Sequence, residues 1–79
     1  MATFIIKDLR DDTFMYYDNN RGRTLRQAEF FRLHTRPCYV IKKFSKGGHP
    51  HIARIEYDSN LRGWAERESI NCDQYGRRI

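Results

Sequence analysis

The sequence predicts an α+β fold in which one helix packs on a small, mostly antiparallel sheet of three to five strands, in the order β(β)αβββ. One segment, residues 25–34, has the apolar spacing of a helix. Short runs rich in β-branched and aromatic residues lie before and after it, with turn-forming residues between the last runs. One helix on one sheet face is the simple way to cover these apolar side chains. The length of 79 residues predicts a single domain, residues 1–79.

The segment before the helix is predicted to hold one or two strands. Residues 3–9 are β-branched and aromatic and end in charge, which is typical of a strand. Residues 10–13 form a turn, and residues 14–17 favour a second short strand. Residues 18–22 have the composition of a loop.

Thr24 is the predicted N-cap of the helix. Its hydroxyl can accept a hydrogen bond from the N3 amide, and Gln27 stands at the capping-box position. On that reading, Thr24→Ala removes about 1 kcal/mol of stability. The helix is predicted to run from Leu25 to about His34 and to end before Pro37, whose ring disfavours a helical residue ahead of it.

The predicted helix buries one apolar stripe. At about 100° per residue, one side of the helix holds Leu25, Ala28 and Phe31, and Leu33 widens that stripe. Phe30 lies off the stripe, so it either packs against a loop or points at a partner. The aromatic residues predicted to lie in the core are Phe4, Phe31 and Tyr57.

A three-stranded meander is predicted after the helix. Its strands are residues 38–44, 51–57 and 64–69, joined by turns whose glycines are free to take positive φ. Alternation along the middle strand places Ala53, Ile55 and Tyr57 on one face with His51. The sheet face away from the helix is expected to stay open to solvent or to a partner. Residues 70–79 have no clear period and are expected to form a mobile tail.

Positive charge is concentrated in the middle of the chain. Between Arg21 and Arg54, nine of the ten charged side chains are cations and only Glu29 is an acid, so this segment carries +8. Residues 1–20 carry −2 and residues 55–79 carry −1, which together give the net charge of +5. Such a concentration of positive charge favours binding to phosphate or to a strongly acidic protein surface.

The predicted partner-binding residues come from this basic segment. Solvated surfaces are ordinarily rich in Lys and Arg, but here compensating acids are lacking, which favours a functional patch. Arginine in such a patch gives fork-shaped pairs with carboxylate or phosphate. The predicted contacts are Arg21, Arg23, Arg26, Arg32, Lys42, Lys43 and Lys46, with Phe30 as the aromatic one.

A metal or catalytic site is not predicted. The potential metal ligands have none of the paired spacings that zinc sites use, which favours two free thiols and three ordinary histidines. These ligands are His34, Cys38, His49, His51 and Cys72. No nucleophile elbow, paired-carboxylate site or phosphate-cradling loop is present, so we expect a protein without cofactor that is not an enzyme.

The sequence also carries expectations about location and assembly. It holds no apolar run long enough to span a bilayer and no signal-peptide pattern, so no membrane contact and a cytoplasmic location are expected. A small core is consistent with either a monomer or a homodimer.

The chain resembles small phage-encoded inhibitors, in particular one group of anti-CRISPR proteins that act on type I surveillance complexes. The resemblance spans roughly residues 3 to 67. It lies in an opening strand FIIKDL at residues 4–9, a helix start TLRQA at 24–28, a strand YVIK at 39–42, and GWA at 63–65. It implies a non-enzymatic protein that binds the backbone subunits of an RNA-guided complex in the host cytoplasm, where target DNA would lie.

Two functions are therefore compared. In the first, the basic face binds an acidic protein surface of a host nucleoprotein complex, with DNA or RNA contact in addition, and blocks target DNA binding. The alternative is a regulatory domain that binds DNA or RNA directly and weakens steeply with salt. In the alternative, bases would stack on aromatic residues that lie among the cations in the sequence. These are Phe30, Tyr39, Phe44 and Trp64. Aromatic residues of a small domain more often lie in its core.

Overall fold

The computed structural model describes residues 2–68 and has an α+β architecture, with one helix and a five-stranded antiparallel sheet. The predicted fold class is confirmed. The elements in chain order are β1 (Thr3–Asp8), β2 (Phe14–Asp18), α1 (Arg21–Leu33), β3 (Cys38–Lys46), β4 (His49–Asp58) and β5 (Gly63–Glu68). The predicted tail at 70–79 and Cys72 lie outside the described residues. Within residues 2–68, no helix is long and apolar enough to cross a membrane.

The sheet has the strand order β2-β1-β3-β4-β5, and all neighbouring strands are antiparallel. The first strand is thus interior, because β2 pairs with one of its edges and β3 with the other. The connection from β2 to β3 must cross over β1, and α1 makes that crossing. We call the sheet face under α1, together with α1, the helix side, and the opposite sheet face the open face.

The core lies between α1 and the first three strands of the sheet order, with β4 closing it. Alternation along the strands points Phe4, Ile6, Val40 and Ile55 at Ala28 of the helix, and all five are at most 3% exposed. Ala28 is small, so the helix backbone comes close to the sheet. Of the three aromatic residues predicted to lie in the core, Phe4 is buried there. Phe31 is half-buried against this cluster, and Tyr57 is half-buried under Arg32.

The helix begins four residues earlier than predicted, and Thr24 is not its N-cap. Asn20 caps the helix, with its side chain accepting a 2.9 Å hydrogen bond from the Arg23 amide. Thr24 lies within the helix, fully buried, and its hydroxyl donates to the Asn20 carbonyl at 2.8 Å. A threonine hydroxyl can bond to the carbonyl one turn back as readily as it caps. The capping contribution of about 1 kcal/mol therefore belongs to Asn20.

The end of the helix agrees with the prediction. The helix ends at Leu33 with His34 as its C-cap. Thr35 takes a left-handed φ of 61°, and the Arg36 amide donates to the Phe31 carbonyl at 2.9 Å. These bonds turn the chain away before Pro37 and satisfy carbonyls of the last turn.

A turn that contains glycine joins β3 to β4, as predicted, but it is shorter than predicted. The strands continue to Lys46 and from His49, leaving only Gly47 and Gly48 between them. Both glycines have positive φ, 61° and 83°. Two consecutive positive φ values match the two-residue hairpin turn whose twist suits antiparallel strands.

A β-bulge changes which side chains of β2 face the core. Met15 and Tyr16 together oppose Ile6, and both pack against the core cluster. The bulge therefore places Phe14 and Tyr17, three residues apart, on the same open face. The register that establishes this is Ile5↔Tyr17, Ile6↔Tyr16 and Lys7↔Phe14.

The centre of the open face is covered by side chains of its own strands. Tyr39 is 0% exposed, because the Arg54 guanidinium lies 3.6 Å from its ring centroid. Its hydroxyl donates to Asp12 at 2.7 Å, and Asp12 takes a left-handed φ of 61°. Burial, with the bond to Asp12, raises the pKa of Tyr39. Tyr39 is thus not accessible for base stacking, and a face expected to be open is partly closed.

Candidate functional site

The structure divides the predicted basic residues between two faces. Four of them lie on α1, and strand alternation places Lys42 and Lys46 on the helix side of β3. Lys43 lies on the open face, because neighbouring residues of a strand point to opposite sides. The six cations of the helix side are Arg21, Arg23, Arg26, Arg32, Lys42 and Lys46.

Glu66 joins the start of the helix to the hairpin. Its Oε1 atom lies 3.0 Å from Lys42 Nζ and 3.5 Å from Arg21 Nη1. One carboxylate of β5 thus serves a cation of α1 and a cation of β3. Lys42 Nζ also lies 4.6 Å from the centroid of the Phe44 ring. The helix start and β3, which are distant in sequence, therefore form one basic area, with one acid for two cations.

Arg23 is paired with Asp18, although its side chain is exposed. Asp18 accepts bonds from Arg23 Nε at 2.9 Å and Nη2 at 3.0 Å, and also from the Tyr16 hydroxyl and the Asn20 amide. These bonds, those from Arg23 most of all, lower the pKa of Asp18. The arrangement fixes the path from β2 into α1, so Arg23 has a structural role in addition to its charge.

Arg32 is fixed in a similar way near the end of α1. Its Nε donates to Glu29 at 2.9 Å, and its guanidinium lies 3.8 Å from the centroid of the Tyr57 ring. Arg32 also lines an open cleft of about 450 Å³. The other lining residues are Leu9, Pro37, Cys38, Glu56, Tyr57 and Ser59.

The Cys38 thiol at this cleft is a poor nucleophile. The Cys38 thiol donates to the Ala28 carbonyl at 3.4 Å, and burial raises its pKa to about 11. A thiol with that pKa is protonated at neutral pH and is a poor nucleophile. The His34 ring is bonded to the Phe30 carbonyl at 2.8 Å. Residues 2–68 contain no group of three or more His, Cys, Asp and Glu side chains that could hold a metal ion.

Arg26 and Lys43 are a matched pair of cations on opposite faces. Both are exposed, and neither forms an ion pair with another residue in the described part of the chain. Since each is a single positive charge on a regular element, replacing one or the other changes the net charge equally. They therefore distinguish an effect of position from an effect of total charge.

The solvent side of α1 presents a ridge formed by Arg26, Phe30 and Leu33, which we call the helix ridge. Phe30 is 53% exposed and Leu33 is 66% exposed. Phe30 stacks on His34 at a centroid distance of 4.2 Å. Leu33 was predicted to widen the core stripe, and that is wrong. It lies five residues after Ala28, about 140° away at 100° per residue, on the side where Arg26 and Phe30 lie.

Asp8 is a second strongly held carboxylate, at the end of β1. It is 3% exposed and accepts from Arg10 three times, at the backbone amide (2.9 Å), Nε (3.1 Å) and Nη2 (2.9 Å). These side-chain and backbone hydrogen bonds lower the pKa of Asp8 to about 2. This cluster stabilises the β1–β2 turn and lies apart from the helix ridge.

Acid is expected to destabilise the protein as the pH falls from about 4 towards about 2. Folded Asp8 has a pKa of about 2, whereas an unfolded aspartate titrates near ~3.9. Its stabilisation is therefore fully present above the unfolded pKa and is lost as the pH falls through the folded pKa. The pKa of Asp18 is shifted in the same direction. Urea midpoints at about pH 6, 4 and 2.5 measure the loss. Asp8→Asn should show a shallower fall, and an equal fall in both proteins would contradict the role of Asp8.

Comparisons of the chain with protein-family models, curated proteins and solved structures find no match. The function is therefore inferred from the arrangement of the side chains. The helix ridge combines two exposed apolar side chains with a cation on a rigid element. The other basic residues predicted from sequence lie on the helix side as well, with the exception of Lys43.

Proposed function

We propose that this protein is a non-enzymatic binding protein, of the phage-inhibitor type, that docks on a nucleic-acid-guided host defence complex and blocks target DNA binding. The observation that supports this most is the helix ridge. It places Phe30 and Leu33, both more than half exposed, beside a cation without an ion pair in residues 2–68. The expected partner is an acidic protein surface.

The charge around the ridge favours a protein partner. Within the described part of the chain, four of the six predicted cations of the helix side pair with the carboxylates of Asp18, Glu29 and Glu66. Because Arg21, Arg23, Arg32 and Lys42 each have a carboxylate within 3.5 Å, their charge is partly compensated. The remaining positive field suits steering towards an acidic surface more than a tight grip on phosphate.

The apolar part of the ridge favours the same conclusion. Duplex DNA offers a charged backbone, and a phosphate contact does not cover an exposed phenyl ring or a leucine. An aromatic residue at the centre of a patch with arginine beside it is the arrangement that dominates binding energy between proteins. The resemblance to inhibitors of type I complexes gives the class of partner with which to begin.

The test uses purified, guide-loaded type I surveillance complexes and a labelled target duplex. We expect the protein to bind at least one such complex and to reduce its target DNA binding. Because the ridge is partly apolar, part of this affinity should persist when salt rises from about 50 to 200 mM.

A parallel titration distinguishes the alternative function, direct DNA binding. The protein is mixed with labelled duplex of arbitrary sequence over the same salt range. Tight binding at low salt that falls by orders of magnitude would favour direct nucleic-acid binding. Failure to bind any complex of the panel would overturn docking on type I complexes.

A further inference from the structure

The bulge in β2 produces an exposed aromatic pair on the open face, remote from the helix ridge. Strict alternation would place residues 14 and 17 on opposite faces of the sheet. The bulge places both on the open face, where Phe14 is 61% exposed and Tyr17 is 56% exposed. Bulges frequently re-aim side chains at binding sites. Two exposed rings on one face, with no cover in residues 2–68, indicate a surface that meets a ligand.

The surroundings of the two rings form a platform that carries positive charge. Tyr17 lies opposite Ile5, which lies opposite Ile41 on the next strand. Phe14 lies directly opposite Lys7. Side chains that face each other in this way are about 5 Å apart at Cβ. Phe14 thus has a cation beside it, and Tyr17 borders an apolar row.

A second lysine lies at the other end of the platform. Lys43 pairs with Thr3 on β1, and Lys7 is at the opposite end of the same strand. The apolar row at Ile5 therefore runs between two lysines.

Three carboxylates of the described chain lie on the open face. Glu56 and Asp58 lie on β4, three strand positions from β2, and each forms an ion pair there with an arginine. Asp12 lies nearer, where it accepts a 2.7 Å hydrogen bond from Tyr39, the residue opposite Lys7.

We infer that the open face binds single-stranded nucleic acid, with bases stacked on Phe14 and Tyr17 and phosphates near Lys7 and Lys43. The two rings lie opposite Ile5 and Lys7, which are two residues apart on β1, so the rings are roughly 7 Å apart along the strand at the usual rise. Successive bases within a duplex are only about 3.4 Å apart and their faces are covered. Unpaired bases can be splayed to this larger spacing and stacked on aromatic side chains.

A second copy of the chain fits this face less well. A two-fold interface would bring the same surface of each subunit together, so Lys7 and Lys43 of both copies would enter one interface. Like charges placed opposite each other destabilise such a contact. Phosphate has the complementary charge. This site is additional to the helix ridge and does not depend on the docking function proposed above.

The experiment uses the full chain and fluorescein-labelled oligo(dT) and oligo(rU) of about 12 nucleotides, within the range of usual site sizes, with a duplex of equal length for comparison. Fluorescence anisotropy at low salt measures the affinities. We expect the single strands to bind at least about 10-fold more tightly than the duplex. Each aromatic ring should contribute about 5- to 150-fold, so Phe14→Ala/Tyr17→Ala should weaken binding at least about 25-fold. Tyr17→Phe retains the ring and should retain binding.

Lys43→Gln and Arg26→Gln separate the open face from net charge. Each removes one positive charge, and only Lys43 lies on the open face. Lys43→Gln should weaken single-strand binding several-fold and reduce its salt dependence, whereas Arg26→Gln should leave it near wild type. Unchanged thermal unfolding confirms that the variants fold, as expected for exposed residues.

Three results would overturn the proposal. The first is equal affinity of the aromatic double variant and wild type for the single strands. The second is equal loss in Lys43→Gln and Arg26→Gln, which would reduce the effect to net charge. The third is a dimer in sedimentation that the aromatic double variant dissociates, which would make this face a self-interface. None of these results bears on the binding of a surveillance complex through the helix ridge.

Discussion

Ile6→Ala should lower the free energy of unfolding by about 2–5 kcal/mol, which is the cost of removing a large aliphatic side chain from a closed core. Ile6 is 0% exposed on an interior strand and lies under Ala28 of the helix. A domain of this size is stabilised in total by only about 5–15 kcal/mol, and a short chain is expected at the low end. The variant should therefore be largely unfolded at moderate temperature.

Ile5→Ala is the matched control for this substitution. Ile5 is the same residue type, next in the chain, but its side chain is half-buried on the open face. Its removal leaves no closed cavity, so a loss of about 1 kcal/mol is expected. Urea unfolding followed by the fluorescence of Trp64, the single tryptophan, measures both variants. Equal losses would show that the helix does not cover Ile6 as described.

Phe30→Ala should weaken docking on the target complex by about 30-fold or more while leaving the fold intact. A residue that dominates a protein interface contributes about 2 kcal/mol or more when truncated, and each 1.4 kcal/mol corresponds to a factor of about ten. Phe30 is 53% exposed and stacks mainly on His34, so its removal opens no cavity in the core. Titration of the immobilised complex gives the affinity, and thermal unfolding gives the stability.

The matched cations test whether this docking is local to the helix ridge. Arg26→Gln should reduce docking clearly, whereas Lys43→Gln, on the other face of the sheet, should have little effect. With single-stranded nucleic acid the order of the two variants should be reversed. If Phe30→Ala and Arg26→Gln both docked normally, the helix ridge would not be the contact surface.

Several features of the fold could be predicted from local sequence. The strands were located by their β-branched and aromatic runs, and the C-terminal end of the helix by Pro37, because these signals act within a few residues. The start of the helix was misplaced at Thr24. Asparagine and threonine both offer a side-chain oxygen, and only the folded backbone decided that Asn20 accepts at the cap and that Thr24 donates within the helix.

The candidate site was predicted in part. Charge predicts a binding role for Arg26, and the position off the apolar stripe predicts one for Phe30. Both residues lie on the helix ridge. Leu33 was assigned to the core, although its angle on the helix places it with them. The charge pattern predicts one patch that includes Lys42 and Lys43, but strand alternation places these adjacent side chains on opposite faces of the sheet.

The sequence by itself determined the α+β fold class, the concentration of positive charge and a turn that contains Gly47 and Gly48, since each depends on composition or on near neighbours. Tertiary structure alone decided which carboxylates the cations meet, such as Glu66 with Arg21 and Lys42. It also decided the bulge that brings Phe14 and Tyr17 to one face. Both depend on strand register, which is determined by the joint packing of the helix and all the strands and has no local signal in the chain.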